Sequence, residues 1–222
     1  MTSIYMLVNG IMVPISGYLI DRFPTRKLFF ASMTTFIAGT VLCAVAPGFE
    51  MLIVGRILQA AGAGVQLPLV AVVPMLIFPP EKRGTAMGMA GIVMSVAPAA
   101  GPVVAGIIID AMGWRAMFWS IAPLGLIVLV ASFFLLGNVG ELKKPKLDIL
   151  SVLLSTIAFG GMLYGFSSAS TLGWTSPIVI IGIVAGVACL VLFVKRQRNL
   201  DEPLLQINAL KSRDFACSAI IV

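Results

Sequence analysis

The stretch GYLIDRFPTRK, from Gly17 to Lys27, places four charged residues among its last seven positions, directly after a long apolar run. The twenty residues before Asp21 contain no Asp, Glu, Lys or Arg. A lipid-spanning helix needs about 20 predominantly apolar residues. The charged group therefore predicts the end of a first membrane span and the beginning of an aqueous loop.

The whole chain has the composition of an integral membrane protein. Its 222 residues are 59% hydrophobic and 11% charged, with a mean hydropathy of +1.07. Soluble domains have about 45–50% apolar and about 25% charged residues. Backbone groups in hydrocarbon must pair within the protein, so runs of this length predict helices, and the alternating pattern of barrel strands is absent. The predicted fold class is an all-α polytopic helical bundle.

Further apolar runs predict seven complete spans and the start of an eighth. The predicted organisation is a bundle of five spans over residues 1–137, a cytoplasmic loop at 138–146, two more helices over 147–194, a cytoplasmic loop at 195–214 and the start of a truncated helix at 215–222. The third and fourth spans exceed the length that a bilayer requires, and their prolines are expected to bend them. These prolines are Pro68, Pro74, Pro98 and Pro102.

The net charge of +6 reflects membrane topology. Thirteen of the 15 basic residues fall in alternate loops, whereas the loops between them carry only Arg115. Such alternation is typical of the positive-inside rule and predicts that the basic loops face the cytoplasm. The basic excess therefore gives no reason to expect a nucleic-acid partner.

Few residues are suited to catalysis or metal binding. The chain has no His and neither a Walker A nor a G-x-S-x-G pattern, and its three cysteines lack paired spacing. This excludes His-based zinc sites and Ser-His or Cys-His nucleophile pairs. We expect no enzymatic activity, no metal site and no cofactor.

The opening stretch resembles the loop signature G-x-L-a-D-R-x-G-R-[RK], which joins the second and third helices of major facilitator superfamily transporters. Pro24 stands where that family usually has Gly, and Thr25 occupies the first of the following basic positions. The resemblance implies a cytoplasmic gating loop. Its candidate residues are Gly17, Leu19, Asp21, Arg22, Arg26 and Lys27.

Three more motifs resemble the same family. The third span is similar to the fourth-helix pattern R-x-x-Q-G-x-G, and the resemblance implies a coupling and cavity role for Arg56, Gln59 and Gly62. The fourth span is similar to the fifth-helix antiporter signature, with candidate residues Pro98, Gly101, Pro102 and Gly106. The outer-loop motif Gly113, Trp114 and Arg115 is close to that of the fourteen-span drug:proton antiporters, although Ile121 replaces a frequent Asn.

The resemblance covers the chain from the family's second helix to the start of its ninth, including two extra central helices. It implies proton-coupled efflux of drug-like amphipathic compounds by alternating access, with the proton gradient as energy source. The implied partners are a small-molecule substrate, protons and the lipid bilayer. The implied full-length protein is a monomer in a bacterial plasma membrane. We accordingly expect the chain to be part of a larger transporter, truncated at both ends.

Each motif also has a simpler interpretation. Arg56 lies within a span, where a charge costs about 2.5 to 3.5 kcal/mol, and it could serve coupling or merely a structural pairing. The basic residues of the loop could serve merely to set the orientation of the protein in the membrane. That interpretation leaves Asp21 unexplained, because acids contribute little to the positive-inside rule. The small residues of the fourth span could provide ordinary tight packing.

Two other functions remain open at this stage. An importer or facilitator of a small metabolite would share the loop signature but would not need the Gly101-Pro102 motif. A non-transporting membrane scaffold, or an inactive fragment, is the alternative from another class. Expression of the 222-residue chain alone is expected to give no drug resistance.

Overall fold

The computed structural model describes residues 2–139 and 148–200. These ranges form seven α-helices and contain no strand. The helices are α1 (Thr2–Arg22), α2 (Thr25–Val45), α3 (Phe49–Ile77), α4 (Pro80–Met112), α5 (Trp114–Leu135), α6 (Ile149–Leu172) and α7 (Pro177–Asn199). The all-α helical bundle is therefore confirmed, and each of the seven predicted spans corresponds to one helix.

Six helices are long and apolar enough to cross a membrane, and α1 is a seventh if its two halves, bent by 46°, form one span. Helix α7 continues to Asn199, five residues beyond the predicted end of its span at Val194. Bending at the prolines of α3 and α4 stays a prediction. The predicted eighth span at 215–222 lies outside the described residues.

Proline and glycine set the ends of several helices. Pro24 separates α1 from α2, while Pro80 and Pro177 occupy the first positions of α4 and α7, where a missing N–H is tolerated. Gly113 and Gly173 both have φ of +81° and end α4 and α6. Their ψ values of 167° and 152° complete an extended left-handed conformation that essentially only glycine adopts. The two glycines thus produce similar turns at the predicted outer face.

Close backbone contacts hold α2 against α3. A methyl group added at Gly39 would lie 2.5 Å from the backbone N of Gln59, and one added at Gly62 would lie 2.5 Å from the carbonyl oxygen of Ser32. Small residues allow such approach in lipid, where no hydrophobic effect drives helices together. Helix α3 therefore has little freedom to slide or rotate against α2.

The other helices surround this pair. Helix α1 packs on α3, α5 packs on α2, and the α6–α7 hairpin contacts α1 through α6. Helix α4 contacts only α3 and α5 among the described helices, and none of its 33 residues is buried. One long helix of the bundle thus presents nearly its whole circumference to its surroundings.

Candidate transport site and gate elements

A hydrogen-bonded chain of side chains connects α2 and α3 inside the bundle. Arg56 Nη1 donates to Gln59 Oε1 at 3.1 Å, and Gln59 Nε2 donates to Thr40 Oγ1 at 2.9 Å. Thr40 Oγ1 in turn donates to the carbonyl oxygen of Phe36 at 2.8 Å. Gln59 is 3% exposed and Thr40 is fully buried, so neither amide nor hydroxyl has water as an alternative partner. The chain fixes the Gln59 amide so that its oxygen faces Arg56.

Arg56 carries a charge that this chain of bonds satisfies only in part. Its Nε is buried and has no hydrogen-bond partner among residues 2–139 and 148–200, and no carboxylate in those ranges forms a salt bridge with it. Its guanidinium lies 4.9 Å from the centre of the Phe118 ring and 5.9 Å from that of Tyr5. Aromatic faces attract a cation but offer no hydrogen-bond acceptor to Nε. The positive charge of Arg56 is therefore only partly compensated, and the site can accept an anionic partner.

A cavity of about 420 Å³ brings Arg56 together with the outer-loop motif. It lies between the α2–α3 turn, the first turns of α3 and the start of α5. Trp114, Arg115 and Phe118 form its α5 wall, and Phe49 and Leu52 line the α3 side. The resemblance treated these motifs separately, whereas the structure places Arg56 and Arg115 on one mostly apolar cavity.

The outer-loop motif attaches α5 to α2. Arg115 Nη2 donates to the carbonyl oxygen of Ala46 at 2.9 Å, and its guanidinium lies 4.2 Å from the centre of the Trp114 ring. Ala46 caps the C-terminus of α2, where unpaired carbonyls and the helix dipole favour a cation. Gly113 provides the turn that places Arg115 in the first turn of α5.

A matching contact occurs at the opposite end of the same two helices. Arg26 Nη2 donates to the carbonyl oxygen of Phe133, in the last turn of α5, at 2.8 Å. Thr25 Oγ1 donates to the carbonyl oxygen of Val139 at 2.9 Å. Each antiparallel helix thus uses a first-turn arginine to cap its neighbour's C-terminal end. The predicted gating residue Arg26 contacts α5 in this structure.

The remaining loop residues lie at the predicted cytoplasmic surface. Asp21 is exposed and forms no salt bridge within the part of the chain that the structure describes. Arg22 lies 5.8 Å from the centre of the Tyr18 ring. A second cavity, of about 390 Å³, brings Leu19 and Lys27 close to Gly62. Gly17 is exposed in the last turns of α1. The gating role of these residues stays a prediction.

The antiporter residues are the least enclosed of the candidate sites. Pro98, Gly101 and Pro102 are exposed on α4, and Gly106 is partly buried. A methyl group added at Gly101 or Gly106 would meet no atom within 4 Å among the described residues. Within the part of the chain that the structure describes, the two glycines therefore have no close packing partner, and none of the four residues lines the cavity that contains Arg56.

Sequence reasoning missed a polar network at the predicted cytoplasmic ends of α6 and α7. Asp148 accepts bonds from Arg196 Nε at 2.7 Å and Nη2 at 3.0 Å, and from Ser151 Oγ at 2.6 Å. Gln197 Nε2 donates to Ser151 Oγ at 2.7 Å. The Arg196 guanidinium and the Ser151 hydroxyl lower the pKa of Asp148 from its ordinary value of 3.8 to about 2. No sequence motif indicates this network, because it depends on how the two helices are rotated.

The tight contact between α6 and α7 was also missed, although its signal is visible in the sequence. Gly161 and Gly165 of α6 face Gly182 and Gly186 of α7. A methyl group at Gly161 would lie 2.9 Å from the carbonyl oxygen of Gly182. Each helix thus carries a G-x-x-x-G pattern, which is typical of closely packed membrane helices.

The fold and these interior contacts define a multi-span helical membrane protein. The chain belongs to the Major Facilitator Superfamily, because that family's model matches residues 1–152. It is 46% identical over 221 residues to the uncharacterized MFS-type transporter YcnB of Bacillus subtilis, covering all of this chain and 47% of that protein.

Two relatives have names that describe resistance or export. The lincomycin resistance protein LmrB of Bacillus subtilis is 43% identical over 224 residues, which cover all of this chain and 47% of that protein. The multidrug export protein EmrB of Haemophilus influenzae is 31% identical over 217 residues, with 96% of this chain and 42% of that protein covered. The chain therefore spans slightly less than half the length of these relatives.

Proposed function

We propose that this chain forms part of a proton-coupled efflux transporter for drug-like amphipathic compounds in a bacterial plasma membrane. The observation that carries the proposal is Arg56, a membrane-embedded arginine held by Gln59 with a buried Nε that has no acceptor among the described residues. Ionisable residues inside a membrane are expensive, and they commonly belong to substrate or proton pathways. The names of LmrB and EmrB support export as the direction of transport.

The proposed coupling uses the unsatisfied side of the Arg56 guanidinium. A carboxylate in the remainder of the full-length transporter would pair with Arg56 when ionised and would weaken that pair when protonated. Proton binding and release would then bias the two access states of an alternating-access cycle, with the proton gradient as the energy source. Gln59 and Thr40 would keep the guanidinium oriented through both states.

The test uses everted membrane vesicles that contain the full-length transporter carrying residues 1–222. Lincomycin, added to vesicles with an established pH gradient, should partly dissipate that gradient if drug and protons exchange. The Arg56→Ala variant should reduce the lincomycin-dependent loss of the gradient at least about tenfold, because it removes the coupling cation. A pH-sensitive dye reports the gradient.

Arg83→Ala is the matched control, because Arg83 lies near the start of α4 and donates to the carbonyl oxygen of Phe78. It should retain drug-dependent proton movement. Wild-type coupling in Arg56→Ala would contradict the proposed role of Arg56. An equal loss of drug-dependent proton movement in Arg56→Ala and Arg83→Ala would show that this loss does not depend on the membrane-embedded charge.

A further inference from the structure

The cytoplasmic end of α7 carries two cations that the interhelical network does not use. Asp148 is occupied by Arg196 and Ser151. Lys195 and Arg198 form no salt bridge with any residue in the described ranges 2–139 and 148–200. The last five residues of α7, 195–199, include three basic and no acidic residues, so this helix end is positively charged.

An apolar groove lies directly beside these cations. A volume of about 500 Å³, here called the cytoplasmic groove, is lined by Leu150, Leu154, Leu192, Lys195, Arg196, Asn199 and Leu200. Leu150 is 48% exposed and Leu192 is 54% exposed, so the apolar walls are open to the surroundings. A second depression of about 330 Å³ shares Lys195 and adds Arg198. Lys195 therefore borders apolar surface on two sides.

The position of the groove restricts what can occupy it. Both helix ends are predicted to face the cytoplasm, where basic residues meet the anionic lipid surface. The leucines belong to the first turns of α6 and the last turns of α7, which places them at the depth where acyl chains begin. A basic pocket between helices on the cytoplasmic side suits an anionic head group. The apolar walls would contribute nothing to the binding of a small soluble anion.

We propose that the cytoplasmic groove binds an anionic diacyl phospholipid of the inner leaflet. The acyl chains lie along Leu150 and Leu192, and the phosphate lies at Lys195, where the groove borders the depression that Arg198 lines. Arg196 stays paired with Asp148, which holds α6 and α7 together and keeps the groove open. The bound lipid would thus anchor the hairpin at one leaflet, independently of which compound the transporter carries.

The test measures lipid retention by the purified chain in mixed detergent micelles containing phosphatidylglycerol and phosphatidylcholine, with native mass spectrometry as readout. The wild type should retain phosphatidylglycerol preferentially. Because each basic residue near an anionic surface contributes about fivefold in affinity, the double variant Lys195→Gln/Arg198→Gln should weaken retention about 25-fold. Circular dichroism confirms that helical content is unchanged. If the double variant misfolds, Lys195→Gln alone should weaken retention about fivefold.

The matched control is Lys82→Gln/Arg83→Gln, which removes two cations from another predicted cytoplasmic loop. It should leave retention unchanged. Equal losses in both double variants would overturn the proposal, since they would indicate general charge attraction. Equal retention of the two lipids would also overturn it, because it would show lipid binding without selection of an anionic head group. Full displacement by millimolar glycerol 3-phosphate would show a head-group anion site without a lipid.

Discussion

At the scale of single residues, the interior of this bundle depends on polar side chains that satisfy one another. Thr40 shows this best, because its hydroxyl accepts from Gln59 and donates to the carbonyl oxygen of its own helix. A buried donor that loses its acceptor costs more than the bond itself contributes, because it has already lost its contact with water. The position of Arg56 therefore depends on the Thr40 hydroxyl, which holds Gln59 in place.

The variant Thr40→Val tests this dependence. Valine preserves the shape of the side chain but leaves Gln59 Nε2 without its acceptor, so the free energy of unfolding should fall by about 1–3 kcal/mol. Unfolding in detergent micelles, followed by circular dichroism, measures the change. Thr34→Val is the control, since Thr34 is exposed and bonds only to the Phe30 carbonyl of its own helix. A loss as large in Thr34→Val would show that the hydroxyl–amide bond has no special weight.

At the scale of helices, one pair is held at both ends by arginines, and a second pair is held at one end by a polar network and along its length by small residues. Helices α2 and α5 exchange capping arginines at both ends, which are about 30 Å apart by the length of a 21-residue helix. Helices α6 and α7 combine the Asp148 network with glycines that face one another. Polar contacts thus fix how the two helices of each pair are placed against each other.

Two adjacent glycines of α6 separate helix propensity from interhelical packing. A methyl group at Gly161 would lie 2.9 Å from the Gly182 carbonyl oxygen, whereas one at Gly160 would only meet the Leu7 side chain at 3.8 Å. Both substitutions gain helix propensity, so Gly160→Ala should stabilise the chain by up to about 1 kcal/mol. Gly161→Ala should destabilise it by about 1–3 kcal/mol because the helices must separate. Unfolding in detergent micelles measures the change in the free energy of unfolding for each variant. A change of the same sign in both would contradict the close α6–α7 contact.

The Asp148 network predicts how the stability of the hairpin depends on pH. The pKa of Asp148 is lowered from 3.8 to about 2 because Arg196 and Ser151 favour the ionised carboxylate. A lowered pKa in the folded state means stabilisation that is complete above about pH 4 and is lost as the pH falls towards 2. Melting of the chain in detergent should therefore show a decline between these pH values.

Asp148→Asn should lower the melting temperature at neutral pH and remove the part of the acid decline that belongs to this group. Asp110→Asn serves as control, because Asp110 is exposed and forms no salt bridge within the described residues. An unchanged acid profile in Asp148→Asn would mean that the carboxylate is not held by Arg196 in solution.

At the scale of the whole molecule, hydropathy was sufficient to predict the seven helices that the structure describes. Each helix needs about 20 apolar residues whatever its neighbours, so this property is local. The i, i+3 spacing of Arg56 and Gln59 also favoured their contact. Thr40, Phe118 and Arg196 could not be assigned to their partners, because those pairs depend on the rotation and tilt of separate helices. The facing glycines of α6 and α7 were readable in principle from their four-residue spacing.

The exposure of α4 leads to a prediction that concerns the complete transporter. Gly101 lies in open space among the described residues, so Gly101→Leu should leave the melting temperature of the 222-residue chain unchanged within error. In the full-length transporter the same variant should lose export, because the resemblance implies an antiporter helix whose small residues allow close helix packing. Whole-cell efflux of lincomycin, with membrane insertion checked by fluorescence of a C-terminal fusion, measures this. Ala99→Leu, which is exposed on nearly the opposite face of α4, is the control and should retain export. Normal export by inserted Gly101→Leu would contradict a packing role, and destabilisation of the 222-residue chain would show that the glycine already has a partner within it.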